Sequence, residues 1–131
     1  MRYLYPQRKR FEVLSALFAG GYGLHVWSLA TYSNPLQWAG MTQEDALAFA
    51  LTISAFAMTH AVGVRINGSW RWSPILRLIG MTGHAAMFGF LAVAGAGQTA
   101  SYVYGWGLGL MIYGASSAAR DCLRAAEWTK A

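Results

Sequence analysis

Four long apolar segments dominate the sequence and leave little room for any water-soluble fold. They are residues 11–32, 45–64, 74–97 and 100–119. Each segment is near the ~20 residues that a helix needs to cross a bilayer. Charged residues are only 11% of the 131-residue chain, whereas soluble domains carry roughly a quarter. The pattern predicts an all-α polytopic membrane protein with four transmembrane helices.

Short connections between these segments predict how the helices are arranged. Residues 33–44 contain Asn-Pro and a glycine, and residues 97–101 read GQTAS, a minimal polar turn. Short links place neighbouring helices antiparallel. We therefore expect one domain, an up-down-up-down bundle, with a short basic N-terminal arm. The basic, amphipathic tail 120–131 is expected to continue the fourth helix past the membrane.

The basic residues all fall on one side of this predicted arrangement. They precede the first segment, surround the second connection or follow the fourth segment: Arg2, Arg8, Lys9, Arg10, Arg65, Arg71, Arg77, Arg120, Arg124 and Lys130. Lysine and arginine are retained on the cytoplasmic face of bacterial-type membranes. Both termini are therefore expected in the cytoplasm, with the chain in the inner (plasma) membrane. The net charge of +5 is then explained by basic residues that lie at the lipid surface, and no nucleic-acid partner is expected.

The second connection has the composition of a membrane-interface anchor. Tryptophan rings settle at the headgroup level and arginine side chains reach lipid phosphates. The predicted anchors are Arg65, Trp70, Arg71, Trp72 and Arg77. Pro74 suits the first turn of the third helix, where its missing N–H has no helical partner.

Three histidines are the most specific chemical feature of the apolar segments. His25, His60 and His84 lie on the first, second and third predicted helices, at depths of roughly 21, 8 and 15 Å at 1.5 Å per residue. An ionisable side chain inside a membrane is a candidate functional site. One hypothesis is a proton path through His25, His84 and His60. The alternative is that each neutral ring makes one interhelical hydrogen bond.

Histidine is also a ligand for haem iron and for zinc. His60 and His84 are the best pair of axial haem ligands, although their predicted depths differ by roughly 7 Å. Three histidines at different depths do not converge on one zinc ion, and Cys122 is the single cysteine. We therefore expect no resident cofactor and no metal, with haem ligation by His60 and His84 as a minor alternative.

Small residues recur along one face of the fourth helix. They are Ser101, Gly105, Gly109 and Ser116. Small residues at this spacing let two helix backbones approach closely inside a bilayer. The face serves either packing within the bundle or contact with another membrane-protein chain.

The five carboxylates are predicted to have structural roles. Glu44 and Asp45 stand at the start of the second helix, where acids complement the helix dipole. Glu12 is expected to mark the interface at the start of the first helix. Asp121 and Glu127 are assigned to the tail.

No phosphate-binding glycine loop, catalytic triad or paired-cysteine motif is present. The leading hypothesis is a non-enzymatic membrane protein that acts through helix packing and assembly. It would be an accessory subunit of a membrane complex or a holin-like self-associating pore former. The alternatives are a small transporter or proton-conducting channel, and a haem- or quinone-binding electron-transfer subunit. The expected partners are the lipid bilayer and either a second copy of the chain or another membrane protein.

Overall fold

The chain is all-helical in the part that the computed structural model describes, which is residues 6–66, 72–96 and 99–127. Side chains are described for residues 10–66, 72–96 and 100–125. Within these residues the order is α1 (Pro6–Ala30), a 3-10 turn (Gln37–Ala39), α2 (Gln43–Arg65), α3 (Ser73–Ala94) and α4 (Thr99–Glu127). The predicted all-α class is confirmed.

Three described helical segments are long and apolar enough to cross a membrane. They are Arg10–Ala30, Gln43–Arg65 and Ser73–Ala94, and they overlap the first three predicted segments. Helix α4 has 29 residues, but it does not join this group over its described part. Its glycine, tyrosine and serine residues and its charged last third lower its hydropathy. Helix α4 continues to Glu127, as predicted for the tail.

Consecutive helices pack side by side and run in opposite directions. The closest backbone packing joins α1 with α2, α2 with α3, and α3 with α4. We call one end of the molecule the Arg77 end, because Glu12 of α1 and Asp121 of α4 meet Arg77 of α3 there. At the opposite end, the Trp38 end, Trp38 stacks on Tyr104 of α4 with ring centroids 5.7 Å apart.

Aromatic side chains fill the space between α1 and α4. The ring of Tyr22 lies 6.0 Å from that of Tyr104 and 5.6 Å from that of Phe88. The two tyrosine hydroxyls are 3.2 Å apart and share a hydrogen bond. At the Arg77 end, the rings of Phe11 and Tyr113 meet edge to face at 5.9 Å. Side chains rather than close backbones therefore join the first helix to the last.

Glycines let α2 and α3 come into backbone contact. A Cβ atom placed on Gly80 would lie 2.8 Å from the Cα of His60, and one on Gly63 would lie 2.9 Å from the backbone nitrogen of Arg77. Real Cβ atoms do not approach other atoms this closely. The absence of these two side chains sets the spacing of α2 and α3, and so positions the residues described below.

The first turn of α2 is capped by its own side chains. The Thr42 hydroxyl accepts a hydrogen bond from the Asp45 N–H at 3.1 Å, and the Asp45 carboxylate accepts one from the Thr42 N–H at 2.9 Å. This reciprocal pair is a capping box, which satisfies two N–H groups that have no helical partner. Asp45 therefore lies in the first turn of α2, as the sequence predicts, and it also caps the helix.

Large apolar side chains are exposed on the outer surface of all four helices. They include Leu14, Leu17, Leu24, Met58, Val93 and Trp106, each exposed by more than half. Contiguous apolar surface of this kind is rare on proteins that face water. Together with the three long apolar helices, it supports a membrane protein.

Candidate functional site

A buried ion-pair cluster joins three helices at the Arg77 end. Arg77 and Glu12 are each only 3% exposed. The Nη2 atom of Arg77 donates to Oε1 of Glu12 and, at 3.0 Å, to Oδ2 of Asp121. We call these three residues the Arg77 cluster. It ties α1, α3 and α4 together.

The remaining helix, α2, also lies against this cluster. A Cβ atom on Gly63 of α2 would lie 2.9 Å from Cγ of Arg77. The aliphatic part of the Arg77 side chain therefore passes α2 at Gly63, which has no side chain to block it. All four helices thus contribute to the surroundings of one guanidinium group.

The structure differs here from three expectations of the sequence. Arg77 does not reach out to lipid phosphates, because its side chain points between the helices. Glu12 is a buried partner of Arg77 rather than an interface marker. Asp121 faces α3 rather than serving only the tail. The common reason is the phase of each residue on its helix, which turns it towards the core.

The remaining predicted anchors lie on the surface or outside the described residues. Trp72 is 46% exposed just before α3, and Arg65 is exposed in the last turn of α2. Both positions suit contact with a lipid interface. Trp70 and Arg71 lie outside the described residues.

A pair of histidines lies next to the Arg77 cluster, between α2 and α3. His60 and His84 are each 0% exposed. Their ring centroids are 5.8 Å apart, and the rings are inclined at 62°. Gly80 of α3 packs directly against the backbone of His60, one helical turn from Arg77 and one from His84. The pair is therefore held beside a close backbone contact between α2 and α3.

The two rings meet although their predicted depths differ by roughly 7 Å. Side chains on a helix lean towards its N-terminus. Helix α2 and helix α3 are antiparallel, so His60 leans towards the Trp38 end and His84 leans towards the Arg77 end. Their rings converge for this reason.

The nitrogens of this histidine pair have no hydrogen-bond partner within the described part of the chain. This holds for Nδ1 and Nε2 of both His60 and His84. The interhelical hydrogen bond expected for each ring is therefore not found among those residues. Leaving a buried polar atom unsatisfied costs about 1–3 kcal/mol, so this pair is a candidate ligand-binding site.

His25 does not join the other two histidines. It is exposed on the outer surface of α1, whereas His60 and His84 are enclosed between α2 and α3. The structure therefore brings together two members of the predicted proton path and leaves the third outside.

A haem group does not fit between His60 and His84. Axial ligation needs the iron porphyrin to lie flat between the two imidazoles. Gly80 touches the backbone of His60, so α2 and α3 are already at their closest approach beside the pair. A porphyrin would force the two helices apart along the whole contact.

The small-residue face of α4 points away from the other helices. Gly105, Gly109 and Ser116 are exposed, and Ser101 is partly buried. A Cβ atom on Gly105 or Gly109 would have no atom within 4 Å. Gly105 and Gly109 on this face therefore do not pack against another helix within the described part of the chain.

The last turns of α4 place Cys122 beside the Arg77 cluster. The thiol is partly buried, and this burial raises its pKa. Arg77 lowers the pKa and Asp121 raises it, both by smaller amounts. The neutral thiol is favoured, which does not suit a nucleophile.

A periodic signal in the sequence indicates that Arg77 is buried, although it does not identify Glu12 or Asp121. Arg77, His84, Phe88 and Leu91 follow one another at steps of seven, four and three residues, which puts them on one stripe of a helix. Because two of the four are large and apolar, that stripe faces the core. When residues 65–77 are treated as one interfacial turn, the position of Arg77 on the buried face of α3 is overlooked.

Known proteins offer no further guide to the site. Comparisons with protein-family models, with curated proteins and with solved structures find no match for this chain. Within its described residues, no group of three or more His, Cys, Asp and Glu side chains is placed to hold a metal ion. Three features of the geometry remain for a functional proposal: the Arg77 cluster, the histidine pair and the outward face of α4.

Proposed function

We propose that this chain is a small, non-enzymatic protein of the inner (plasma) membrane that acts by assembling with further copies of itself. It crosses the bilayer four times as an up-down-up-down bundle, with both termini in the cytoplasm. The outward small-residue face of α4 is the contact between copies. A holin-like pore former and a self-associating subunit of a membrane complex both work in this way.

The fourth crossing is supported by the surface of α4. Residues 100–119 contain no charged residue. Large apolar side chains on this stretch are exposed, including Tyr102, Val103, Trp106 and Ile112. Lipid is the solvent in which such a surface is stable.

The orientation is supported by where the charges lie. Arg10, Arg65, Arg120 and Arg124 are exposed at the Arg77 end. The connection at the Trp38 end, residues 31–42, carries no lysine or arginine. By the positive-inside rule, this distribution supports a cytoplasmic position for the Arg77 end.

Reporter fusions test this orientation. We expect a fluorescent protein fused after residue 131 to fluoresce, and alkaline phosphatase at the same position to be inactive. Phosphatase fused after Pro35, in the Trp38-end connection, is expected to be active because that connection faces the periplasm. An active phosphatase after residue 131 would exclude four crossings with cytoplasmic termini.

The assembly role is supported above all by a contrast between glycines. Gly63 and Gly80 are needed inside the chain, because a Cβ at either position would overlap the neighbouring helix. At Gly105 and Gly109 a Cβ would meet nothing. Two glycines one turn apart on an outward helix face are typical of contacts between transmembrane helices.

The shape of the α4 surface also suits a facing helix. Ser101, Tyr102, Gly105 and Trp106 line a shallow, open depression of about 280 Å³. Tyr102 and Trp106 are each about three-quarters exposed beside it. Van der Waals contact drives helix association in lipid, and a depression beside two aromatic side chains provides surface for such contact.

Substitution of the outward glycines tests the assembly. Gly105→Leu and Gly109→Leu are expected to raise the dissociation constant of the self-complex by roughly 5- to 100-fold, because overpacking a close contact costs about 1–3 kcal/mol. Energy transfer between labelled copies in lipid vesicles measures this constant.

Gly21→Leu is the matched control. Gly21 is also exposed and also has no atom within 4 Å of a placed Cβ. It lies on α1, however, where the residues three and four positions away are Leu17, Phe18, Leu24 and His25. Its substitution is expected to leave association unchanged. The proposal would be contradicted if the α1 and α4 variants weakened self-association equally. It would also be contradicted if the wild-type chain stayed monomeric in vesicles.

A further inference from the structure

We propose that His60 and His84 bind one soft monovalent metal ion, Cu(I), between α2 and α3. This inference goes beyond the assembly role and does not depend on it. Its starting point is the pair of imidazoles that are both 0% exposed. All four ring nitrogens of the pair are without a hydrogen-bond partner among the described residues.

The spacing of the two rings fits a single bridging ion. A metal–imidazole bond of about 2.0 Å, plus about 1.1 Å within the ring, places each ring centre about 3.1 Å from the ion. Two rings are then about 6.2 Å apart across a linear ion and about 5.1 Å apart at a tetrahedral angle. The observed distance between the ring centroids is 5.8 Å, which lies between these limits. Coordination requires one nitrogen of each ring to face the ion, by rotation of the side chains about χ2.

The number of ligands selects the kind of ion. Zinc takes four ligands in structural sites and three protein ligands in catalytic sites, and the described residues contain no such group. Cu(I) accepts two ligands where zinc needs more, and imidazole is a good ligand for copper. Two histidines without a third ligand therefore favour Cu(I) over zinc.

The electrostatic surroundings also favour a monovalent ion. Arg77 lies one helical turn from Gly80, which packs against the backbone of His60, so a second positive charge beside its guanidinium carries an energetic cost. Glu12 and Asp121 offset this cost because they accept hydrogen bonds from Arg77. One added charge is tolerated more easily than two in a low-dielectric interior.

Titration of the purified, full-length protein with Cu(I) tests this site. The experiment uses detergent-solubilised protein without oxygen, a competing chromophoric Cu(I) chelator, and the substitution Cys122→Ser throughout, because a thiol would also bind the ion. We expect one Cu(I) per chain. His60→Leu and His84→Leu are each expected to weaken binding by at least about 100-fold, since even outer-shell partners of a metal contribute about 10- to 100-fold.

His25→Leu is the matched control, because His25 is the exposed histidine of the same chain. It is expected to bind Cu(I) like the parent protein. X-ray absorption of the loaded Cys122→Ser protein gives a second readout that does not depend on the folding of a His60 or His84 variant. Two nitrogen neighbours and no sulfur neighbour are expected around the copper.

Three results would each overturn the proposal. The first is the absence of stoichiometric Cu(I) binding by the Cys122→Ser protein. The second is unchanged binding in folded His60→Leu and His84→Leu proteins. The third is sulfur coordination by methionine. None of these results bears on self-association, which is measured without metal, so failure of this inference is distinguishable from failure of the assembly role.

Discussion

Arg77→Met is expected to lower the free energy of unfolding by about 3–5 kcal/mol, because it leaves buried Glu12 without its guanidinium partner. Glu12 is 3% exposed and cannot turn towards water while α1 stays packed. Asp121 loses the same partner, but its side chain is 22% exposed, so water replaces part of that interaction. Unfolding in mixed detergent micelles, followed by circular dichroism and tryptophan fluorescence, measures the change.

Arg65→Met is the control for this prediction. Arg65 is exposed in the last turn of α2, so its loss is expected to change stability by less than about 0.5 kcal/mol. Adding Glu12→Gln to Arg77→Met removes the stranded carboxylate, and more than half of the lost stability is expected to return. Equal effects of the two arginine substitutions would show that burial of the Arg77 cluster does not govern stability.

Gly80→Ala is expected to destabilise the protein by about 1–3 kcal/mol, as is usual for overpacking. The added Cβ would lie 2.4 Å from Cβ of His60 and 2.8 Å from its Cα. Backbone atoms cannot move aside as the end of a flexible side chain can, so α2 and α3 must separate. The same unfolding experiment measures the loss.

The opposite sign is expected for Gly21→Ala. Gly21 is in the middle of α1, is exposed, and has no atom within 4 Å of a placed Cβ. Alanine restricts the unfolded chain and favours the helix, so a gain of up to about 1 kcal/mol is expected. A lower free energy of unfolding for Gly21→Ala, or an unchanged one for Gly80→Ala, would contradict the close contact between α2 and α3.

The helices themselves were predictable because each is encoded by local pattern. Long apolar runs identify α1, α2 and α3, and Thr42 followed by Asp45 marks the start of α2. The extension of α4 to Glu127 follows from the helix-forming residues of the tail. These properties depend on residues that are near one another in the sequence.

The site was predictable only in part. The sequence identified His60 and His84 as a candidate pair but gave them a depth difference that disfavoured contact. Their convergence depends on the antiparallel direction of α2 and α3 and on the lean of each side chain. The place of Glu12 was missed because its partner is 65 residues away in the chain.

The sequence by itself determined that the chain is helical, how many long apolar segments it has, and where its basic residues fall along them. The length of an apolar segment and the position of its charges determine how that segment interacts with lipid and water. These effects do not depend on how the neighbouring helix packs. The tertiary structure decided which ionisable groups are buried, that Arg77 faces two carboxylates rather than lipid, and that Gly80 supports the fold while Gly105 faces outward. Those outcomes depend on the rotation of each helix about its axis, which is set by close packing between residues far apart in the chain.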